Sequence, residues 1–205
     1  LDRLDARFGG STALGGQCFI SASLGPGGEI LHLNDRHALS FGERAGGVSA
    51  RVRTIAAAME GARFDARVSE GILQEMWEKW MFIAAAAGIT CLMRAPIGDI
   101  VAAGGAGLAL ELFDECAAIG AASGHEPSAD FRERTRGMLS EKDSTMAASM
   151  LRDIERSART EADHILGDLL RRRSSALGDQ RSLLQVAFTH LEAYEARRIR
   201  EAAGT

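Results

Sequence analysis

The sequence predicts a mainly α-helical protein with a short β segment at its N-terminal end. After residue 69, apolar residues recur at three- and four-residue spacing over most of the chain, which is the period of an amphipathic helix. Within residues 14–41, apolar runs of strand length flank a Gly-Pro-Gly-Gly turn at residues 25–28. The chain has 205 residues, of which 46% are hydrophobic and 25% are charged, so one domain or one and a half domains with a buried core are expected.

The β segment is predicted to be a small antiparallel sheet. Its strands are expected at residues 14–23, 29–33 and 38–41. A separate strand is expected at residues 64–68. A sheet of this size is not stable alone, so we expect it to complete the edge of a larger sheet. Gly46-Gly47 marks the change to helices, and it divides the chain into residues 1–47 and residues 48–205.

The helical part begins with two predicted N-caps. Ser49 is expected to cap a helix that runs to about Met59, and Ser69 is expected to cap a long helix that continues through the small residues 84–87. Gly88 is expected to end or kink that helix. Further helices are predicted at residues 108–122, 130–139, 146–173 and 181–201, with a loop or short turn at residues 96–107 and a break at Gly178-Asp179.

Composition excludes several classes of protein. The net charge of −4 and the pI near 5.8 do not indicate a nucleic-acid-binding protein. The longest stretch of uncharged, mainly apolar residues is 80–93, which is shorter than the roughly 18 residues that a membrane-spanning helix needs. Cys18, Cys91 and Cys116 fit neither a disulfide framework nor a zinc site, so we expect free buried thiols in a reducing cytoplasm.

A glycine-rich stretch at residues 105–110 resembles the start of a dinucleotide-binding fingerprint. It follows Ile100-Val101 and opens a helix, but Leu110 occupies the position of the third glycine, and no second parallel strand follows. An interhelical loop is the preferred interpretation. The sequence therefore contains no recognisable cofactor-binding motif.

Lys79 is the candidate catalytic residue. It lies in an apolar helix beside Trp77 and Trp80, and it is one of two lysines among 24 basic residues. A desolvated lysine can give up its proton near neutral pH, which arginine cannot do, so lysine suits a general acid for a carbonyl under reduction. The alternative is a lysine whose stem lies along the surface, or one that pairs with Glu75 one turn earlier.

Ser149 and Glu161 are candidate substrate-binding residues on the predicted helix at residues 146–173. Twelve residues of straight helix would separate them by roughly 18 Å, so they could flank a ligand but not touch each other. The alternative is that both are solvated surface residues. No metal site is expected, because Glu161, Asp163 and His164 are too close in sequence to converge. Residues 171–173, three arginines, are interpreted as a solvated helix end, or as groups that reach a cofactor phosphate.

Three blocks of sequence resemble the ketopantoate reductases (2-dehydropantoate 2-reductases). The glycine-rich residues 14–20, with residues 28–30 and 41–43, are similar to the sheet that closes the nucleotide-binding domain of that family. Residues 75–79, Glu-Met-Trp-Glu-Lys, are similar to its catalytic-lysine helix. Residues 149–154 and 159–163, followed by Gly167, are similar to its Ser…Thr-Glu helix. The resemblance extends over roughly residues 8–195.

The resemblance implies a fold and an activity. The fold would be a multi-helix C-terminal domain of the 6-phosphogluconate dehydrogenase C-terminal-like type, with a β segment left from a Rossmann-like domain. The family reduces ketopantoate to pantoate with NADPH in pantothenate biosynthesis. By resemblance, Lys79 would protonate the substrate carbonyl, Ser149 would hydrogen-bond the substrate, and Glu161 would hold the substrate and the nicotinamide side of the cofactor. A cytoplasmic homodimer is also implied.

The sequence departs from the family at positions that bear on the substrate. Ile83, Ala87 and Ile97 stand where the family has asparagines, and residues 178–180 (Gly-Asp-Gln) replace a Pro-x-Asn segment. Loss of amide groups changes which polar substrate fits, so the reaction type carries over better than ketopantoate itself. A non-catalytic helical interaction module is therefore the alternative function. The glycine-rich phosphate loop is missing as well, so we expect a fragment of a longer protein that is inactive alone.

Overall fold

We describe a computed structural model that defines residues 1–173 and 182–204. The predicted break at Gly178-Asp179 lies outside the described residues, as does the predicted start of the last helix at Arg181. Residue contacts divide the chain into two compact units, Leu1–Met76 and Trp77–Thr205. This division falls later than the sequence boundary after residue 47, and the assignment of residues 1–47 to a nucleotide-binding domain stays a prediction.

The first unit contains a three-stranded sheet. Its elements are α1 (Asp2–Phe8), β1 (Gly15–Leu24), β2 (Ile30–Gly42), α2 (Ala50–Ala58) and β3 (Asp65–Val68). β1 and β2 pair antiparallel, as predicted, but residues 29–33 and 38–41 belong to one long strand rather than two. β3 pairs parallel to β2, because the chain returns through the crossover that contains α2. Ser49 caps α2 as predicted and accepts a hydrogen bond from Val52 N at 3.3 Å.

The second unit is helical. The division between the units falls inside α3 (Ile72–Met93), and the remaining elements are α4 (Ile97–Ala102), α5 (Ala106–Ala122), α6 (Ala129–Leu139), α7 (Ser149–Glu155), a π-helical turn (Asp163–Gly167), α8 (Asp168–Arg171) and α9 (Leu183–Ala203). The mainly α fold class is thus confirmed. Within residues 1–173 and 182–204, every helix is too short or too polar to cross a membrane.

The core of the helical unit forms where α3, α5 and α9 approach one another. Gly88 does not end or kink α3 as predicted, because the helix continues to Met93. A Cβ atom at Gly88 would lie 2.8 Å from Leu112 Cδ2 and 3.5 Å from Ala187 Cβ. Gly88 therefore lets α5 and α9 pack closely against α3, and this packing stabilises α3 as a continuous helix through Gly88.

Two predicted elements of the helical unit are wrong. The loop predicted at residues 96–107 contains α4, whose first turn is held by bonds from Ile97 N to Met146 O at 2.9 Å and from Gly98 N to Ser144 O at 2.8 Å. The single helix predicted at residues 146–173 is interrupted after Glu155, and Ser157 adopts a left-handed conformation with φ of 56°. Distant side chains bind the backbone of this interruption, which the local sequence does not reveal.

Candidate functional site

Lys79 lies on a half-buried face of α3. Ile83, Ala87 and Thr90 follow it at spacings of four, four and three residues, so the four side chains share one face of the helix. Lys79 and Thr90 are eleven residues apart, which is roughly 16 Å along the helix axis. Lys79 and Ile83 are half-buried, whereas Ala87 and Thr90 are buried. Burial of this face therefore increases from Lys79 toward Thr90.

Ser149 is the first residue of α7, and its backbone position is fixed from α3. The Thr90 hydroxyl donates to Ala86 O at 2.7 Å and accepts from Ala148 N at 3.4 Å. Ala148 is the N-cap residue of α7, so this bond holds the start of α7 next to Thr90, at the far end of the α3 face that carries Lys79. The side chain of Ser149 is exposed.

The segment that leads to α7 is held by α4. A Cβ atom at Gly98 would lie 2.6 Å from Ser144 N and 2.8 Å from Asp143 C, so only glycine permits this backbone contact. Ile97, one of the three positions at which the family has asparagine, is fully buried. Ile97 thus contributes to the core and to the support of α7.

Glu161 is exposed and lies in the irregular segment before the π-helical turn, not on a helix. The predicted separation of roughly 18 Å from Ser149 along one straight helix is therefore wrong. The Glu161 carbonyl accepts from Ile165 N at 3.0 Å, and the Ile165 carbonyl accepts from Trp80 Nε1 at 2.9 Å. The turn after Glu161 is thus attached to α3 next to Lys79. Single π-helical turns are frequent at functional sites.

Helix α9 holds the residues before Glu161 through two side chains. Tyr194 donates its hydroxyl to Ala158 O at 2.7 Å. The Glu195 carboxylate accepts from Thr160 N at 2.7 Å and from Thr160 Oγ1 at 2.8 Å, and Arg198 donates to its other oxygen at 3.0 Å. Burial raises the pKa of the Glu195 carboxyl, but the bonds from Thr160 and Arg198 outweigh burial and hold this pKa below its ordinary value.

The sequence analysis did not identify Tyr194 or Glu195. The pairs Tyr194–Ala158 and Glu195–Thr160 are 36 and 35 residues apart, and no spacing within one helix indicates them. An acidic residue in the middle of α9 is expected at an exposed position on periodicity alone. Only the approach of α9 to the interruption reveals its role.

An aromatic group lies beside Lys79 on the same helix. The Trp77 and Trp80 ring centroids are 5.0 Å apart, and the His125 ring stacks on Trp77 at 4.8 Å. Arg172 lies over both indoles, with Cζ at 5.6 Å and 5.5 Å from their centroids. Burial lowers the pKa of His125. These rings and the Arg172 guanidinium thus surround the two tryptophans that flank Lys79 in α3.

The three consecutive arginines contact groups of the helical unit. Arg171 pairs with Asp163 at 2.8 Å and with Asp168 at 2.7 Å, and Arg173 lies 3.4 Å from Glu115. The Arg172 guanidinium lies over the indole rings of Trp77 and Trp80. Arg171 and Arg172 are exposed at the C-terminal end of α8, which agrees with the interpretation as a solvated helix end.

The cysteines differ in burial. Cys91 and Cys116 are buried free thiols, and burial raises the pKa of Cys91 to about 12 and also raises that of Cys116. Cys18 is a free thiol but is exposed, so the prediction that all three are buried is wrong. Across residues 1–173 and 182–204, no group of three or more His, Cys, Asp or Glu residues is arranged to hold a metal ion.

The glycine-rich stretch at residues 104–107 does not fit a nucleotide phosphate. Ile100 and Val101 belong to α4, so a helix and not a strand precedes these glycines. Residues 100–107 therefore do not have the strand-turn-helix arrangement of a dinucleotide-binding loop.

The fold and the lysine-bearing helix define a helical domain of the kind found C-terminal in ketopantoate reductases. Residues 71–194 match the family described as ketopantoate reductase PanE/ApbA C terminal. The chain belongs to this family.

Individual relatives agree with this membership. The chain is 33% identical over 196 residues to the uncharacterized oxidoreductase YkpB of Bacillus subtilis (strain 168). The aligned region covers 95% of this chain and 64% of the relative. The crystal structure of 2-dehydropantoate 2-reductase from Methylococcus capsulatus matches with a TM-score of 0.79 and 28% identity, over 96% of this chain and 62% of that one. The chain thus spans less than two thirds of the length of these relatives.

A structure of different specificity shares the fold. D-mandelate dehydrogenase, solved as a ternary structure with NADH and anilino(oxo)acetate, matches with a TM-score of 0.78 over 96% of this chain and 65% of that chain. The sequence identity is 15%, so this likeness concerns the fold alone.

Proposed function

We propose that the protein containing this chain is an NADPH-dependent reductase of a small 2-oxo acid, and that this chain forms the substrate side of the active site. Membership of the ketopantoate reductase family supports the reaction class. The observation that carries the proposal is the half-buried face of α3 around Lys79. The start of the Ser149 helix is attached to one end of this face through Thr90, and the turn after Glu161 is attached to Trp80 near the other end.

Lys79 is the proposed general acid. Its ammonium group attracts the anionic substrate, and Nζ donates a proton to the carbonyl oxygen as that oxygen gains negative charge. The Ser149 hydroxyl hydrogen-bonds the substrate, and Glu161 orients it. NADPH would supply the hydride when it is bound.

We further propose that the complete protein is a cytoplasmic homodimer. One solved structure with this fold is described as a dimeric ketopantoate reductase from Staphylococcus aureus, with 19% identity and a TM-score of 0.74. The free thiols Cys18, Cys91 and Cys116 are consistent with a reducing compartment. Size-exclusion chromatography with light scattering tests the dimer.

A second candidate function is a helical interaction module that kept the fold and lost the chemistry. The exposed positions of Ser149 and Glu161, with isoleucine and alanine at the family's asparagine positions, favour it. Titration of the full-length protein with NADPH distinguishes the two functions. Quenching of tryptophan fluorescence or a rise in melting temperature supports the reductase, and the absence of both responses supports the module.

The decisive test of the reductase is Lys79→Ala in the full-length protein. We expect kcat with a 2-oxo acid to fall by about 10²–10⁴, because the proton donor is lost. Lys79→Arg tests the proton itself, since arginine keeps the charge but does not deprotonate, and it should stay nearly as inactive as Lys79→Ala. Lys142→Ala, at the exposed second lysine, is the control and should retain wild-type turnover. Near-normal turnover by Lys79→Ala would exclude Lys79 as the acid.

A further inference from the structure

We propose that the preferred substrate is a 2-oxo acid with a hydrocarbon side chain, and that Ile83 selects against a side chain that carries a hydroxyl group. The inference rests on the proposed function, because it takes Lys79 as the group that engages the substrate carbonyl. Ile83 lies one turn beyond Lys79 on the same face of α3. A substrate whose carbonyl is held at Lys79 and whose side chain extends along this face therefore meets Ile83 first.

Ile83 is half-buried, so part of its side chain stays accessible. Its side chain therefore leaves apolar surface beside Lys79. Such surface favours a hydrocarbon ligand, because contact removes it from water.

Beyond Lys79, the same face of α3 offers a substrate hydroxyl no unused side-chain donor. Ala87, one turn after Ile83, has no hydrogen-bonding side chain and is buried. The Thr90 hydroxyl already donates to Ala86 O and accepts from Ala148 N. Over this stretch a substrate hydroxyl would lose its water without gaining a bond from α3, which is unfavourable.

The expected preference for the hydrocarbon substrate over the hydroxylated one is modest, because an apolar site discriminates only weakly against an added hydroxyl. An apolar site rejects an analogue that adds a hydroxyl by roughly a hundredfold at most, whereas a site built to bind a hydroxyl rejects the analogue without it by 10⁴-fold or more. A modest preference for the hydrocarbon substrate is therefore expected. A strong preference in either direction would indicate a different site.

The test uses two substrates that differ by one oxygen atom. These are 3,3-dimethyl-2-oxobutanoate and its 4-hydroxy derivative, ketopantoate, each reduced by the full-length protein with NADPH. We expect kcat/KM to be about 10- to 100-fold higher for the compound without the hydroxyl. Equal values, or a preference for ketopantoate, would overturn the inference and leave the reductase activity standing. Turnover of neither compound would contradict the proposed function, and the inference with it.

A variant assigns the preference to Ile83. Ile83→Asn supplies an amide beside Lys79 and should shift the ratio of kcat/KM values by tenfold or more toward ketopantoate, through a lower KM for ketopantoate. Ile199→Asn makes the same change at an exposed isoleucine of α9 and should leave the ratio unchanged. An unchanged ratio in folded Ile83→Asn would show that another residue selects the substrate. Should Ile83→Asn not fold, Ile83→Ala serves, with an expected several-fold loss confined to the hydrocarbon substrate.

Discussion

Helix α3 and the stretch from residue 146 to residue 173 have the same apolar periodicity but different structures. α3 is one unbroken helix of 22 residues. The later stretch contains α7, an irregular segment, a π-helical turn and α8. The two regions differ in the partners that surround their backbones, not in their local spacing of apolar residues.

The centre of α3 is enclosed by apolar neighbours. Residues 84–87 are buried alanines, and Gly88 packs against Leu112 and Ala187. In such surroundings a backbone polar group finds a partner only within the helix, so the regular helix is the one arrangement that satisfies all of them. A glycine in the middle of α3 therefore does not break it.

The interruption after α7 has polar partners from α9. Tyr194 binds the carbonyl of Ala158, and Glu195 binds the amide and hydroxyl of Thr160. These bonds replace the helical bonds that residues 158–160 would otherwise make, and Ser157 turns the chain with positive φ. Helical periodicity therefore decides the structure only where no distant side chain offers the backbone another partner.

The largest effect is expected from Gly88→Val in α3. The new side chain would collide with Leu112, so the variant should lower the free energy of unfolding by about 3 kcal/mol through overpacking. Gly137→Ala in α6 is the matched control, because no atom lies within 4 Å of a Cβ atom there. It should stabilise by about 0.5–1 kcal/mol through helix propensity. Urea denaturation measures both, and a neutral Gly88→Val would contradict the close packing.

The interruption is tested by Glu195→Ala. The change leaves the amide and hydroxyl of Thr160 without their acceptor, which should cost about 2 kcal/mol of unfolding free energy. Glu192→Ala, at an exposed residue one turn earlier in α9, should change stability by less than about 0.5 kcal/mol. Equal effects of the two variants would mean that Glu195 does not hold the interruption.

The same carboxylate predicts a dependence on pH. The pKa of Glu195 is lowered in the folded protein, so its contribution is present above the ordinary value of 4.5 and is lost as pH falls through the folded pKa. The stability difference between wild type and Glu195→Gln should therefore shrink as the pH falls below 4.5. Chemical denaturation of both proteins from pH 7 to pH 3 measures this difference. A difference that grows on acidification would contradict the lowered pKa.

The smallest effect is expected at Ser157. Its φ of 56° is strained for a residue with a side chain, so Ser157→Gly should stabilise the protein by up to about 1 kcal/mol. Ser157→Ala keeps the Cβ atom and the strain, and it should not stabilise. The thermal unfolding midpoints of the two variants separate conformational relief from loss of the hydroxyl. A destabilised Ser157→Gly would show that the hydroxyl matters more than φ.

The sequence predicted the elements around the candidate site better than their arrangement. It indicated Lys79 on an apolar helix, and the half-buried position of that residue beside two tryptophans agrees. It assigned Ser149 and Glu161 to one helix, which is wrong. The roles of Thr90 and Glu195 were not predicted, because each acts on a residue 35 or more positions away.

The sequence by itself determined the mainly helical fold, the composition of the α3 face and the family. These follow from the periodicity and identity of neighbouring residues, which a chain carries without folding. Tertiary structure alone decided that β3 runs parallel to β2, that α3 passes through Gly88 and that the chain leaves its helix at Ser157. Each of these depends on which distant groups satisfy a backbone or fill a space, and that is defined only once the chain has folded.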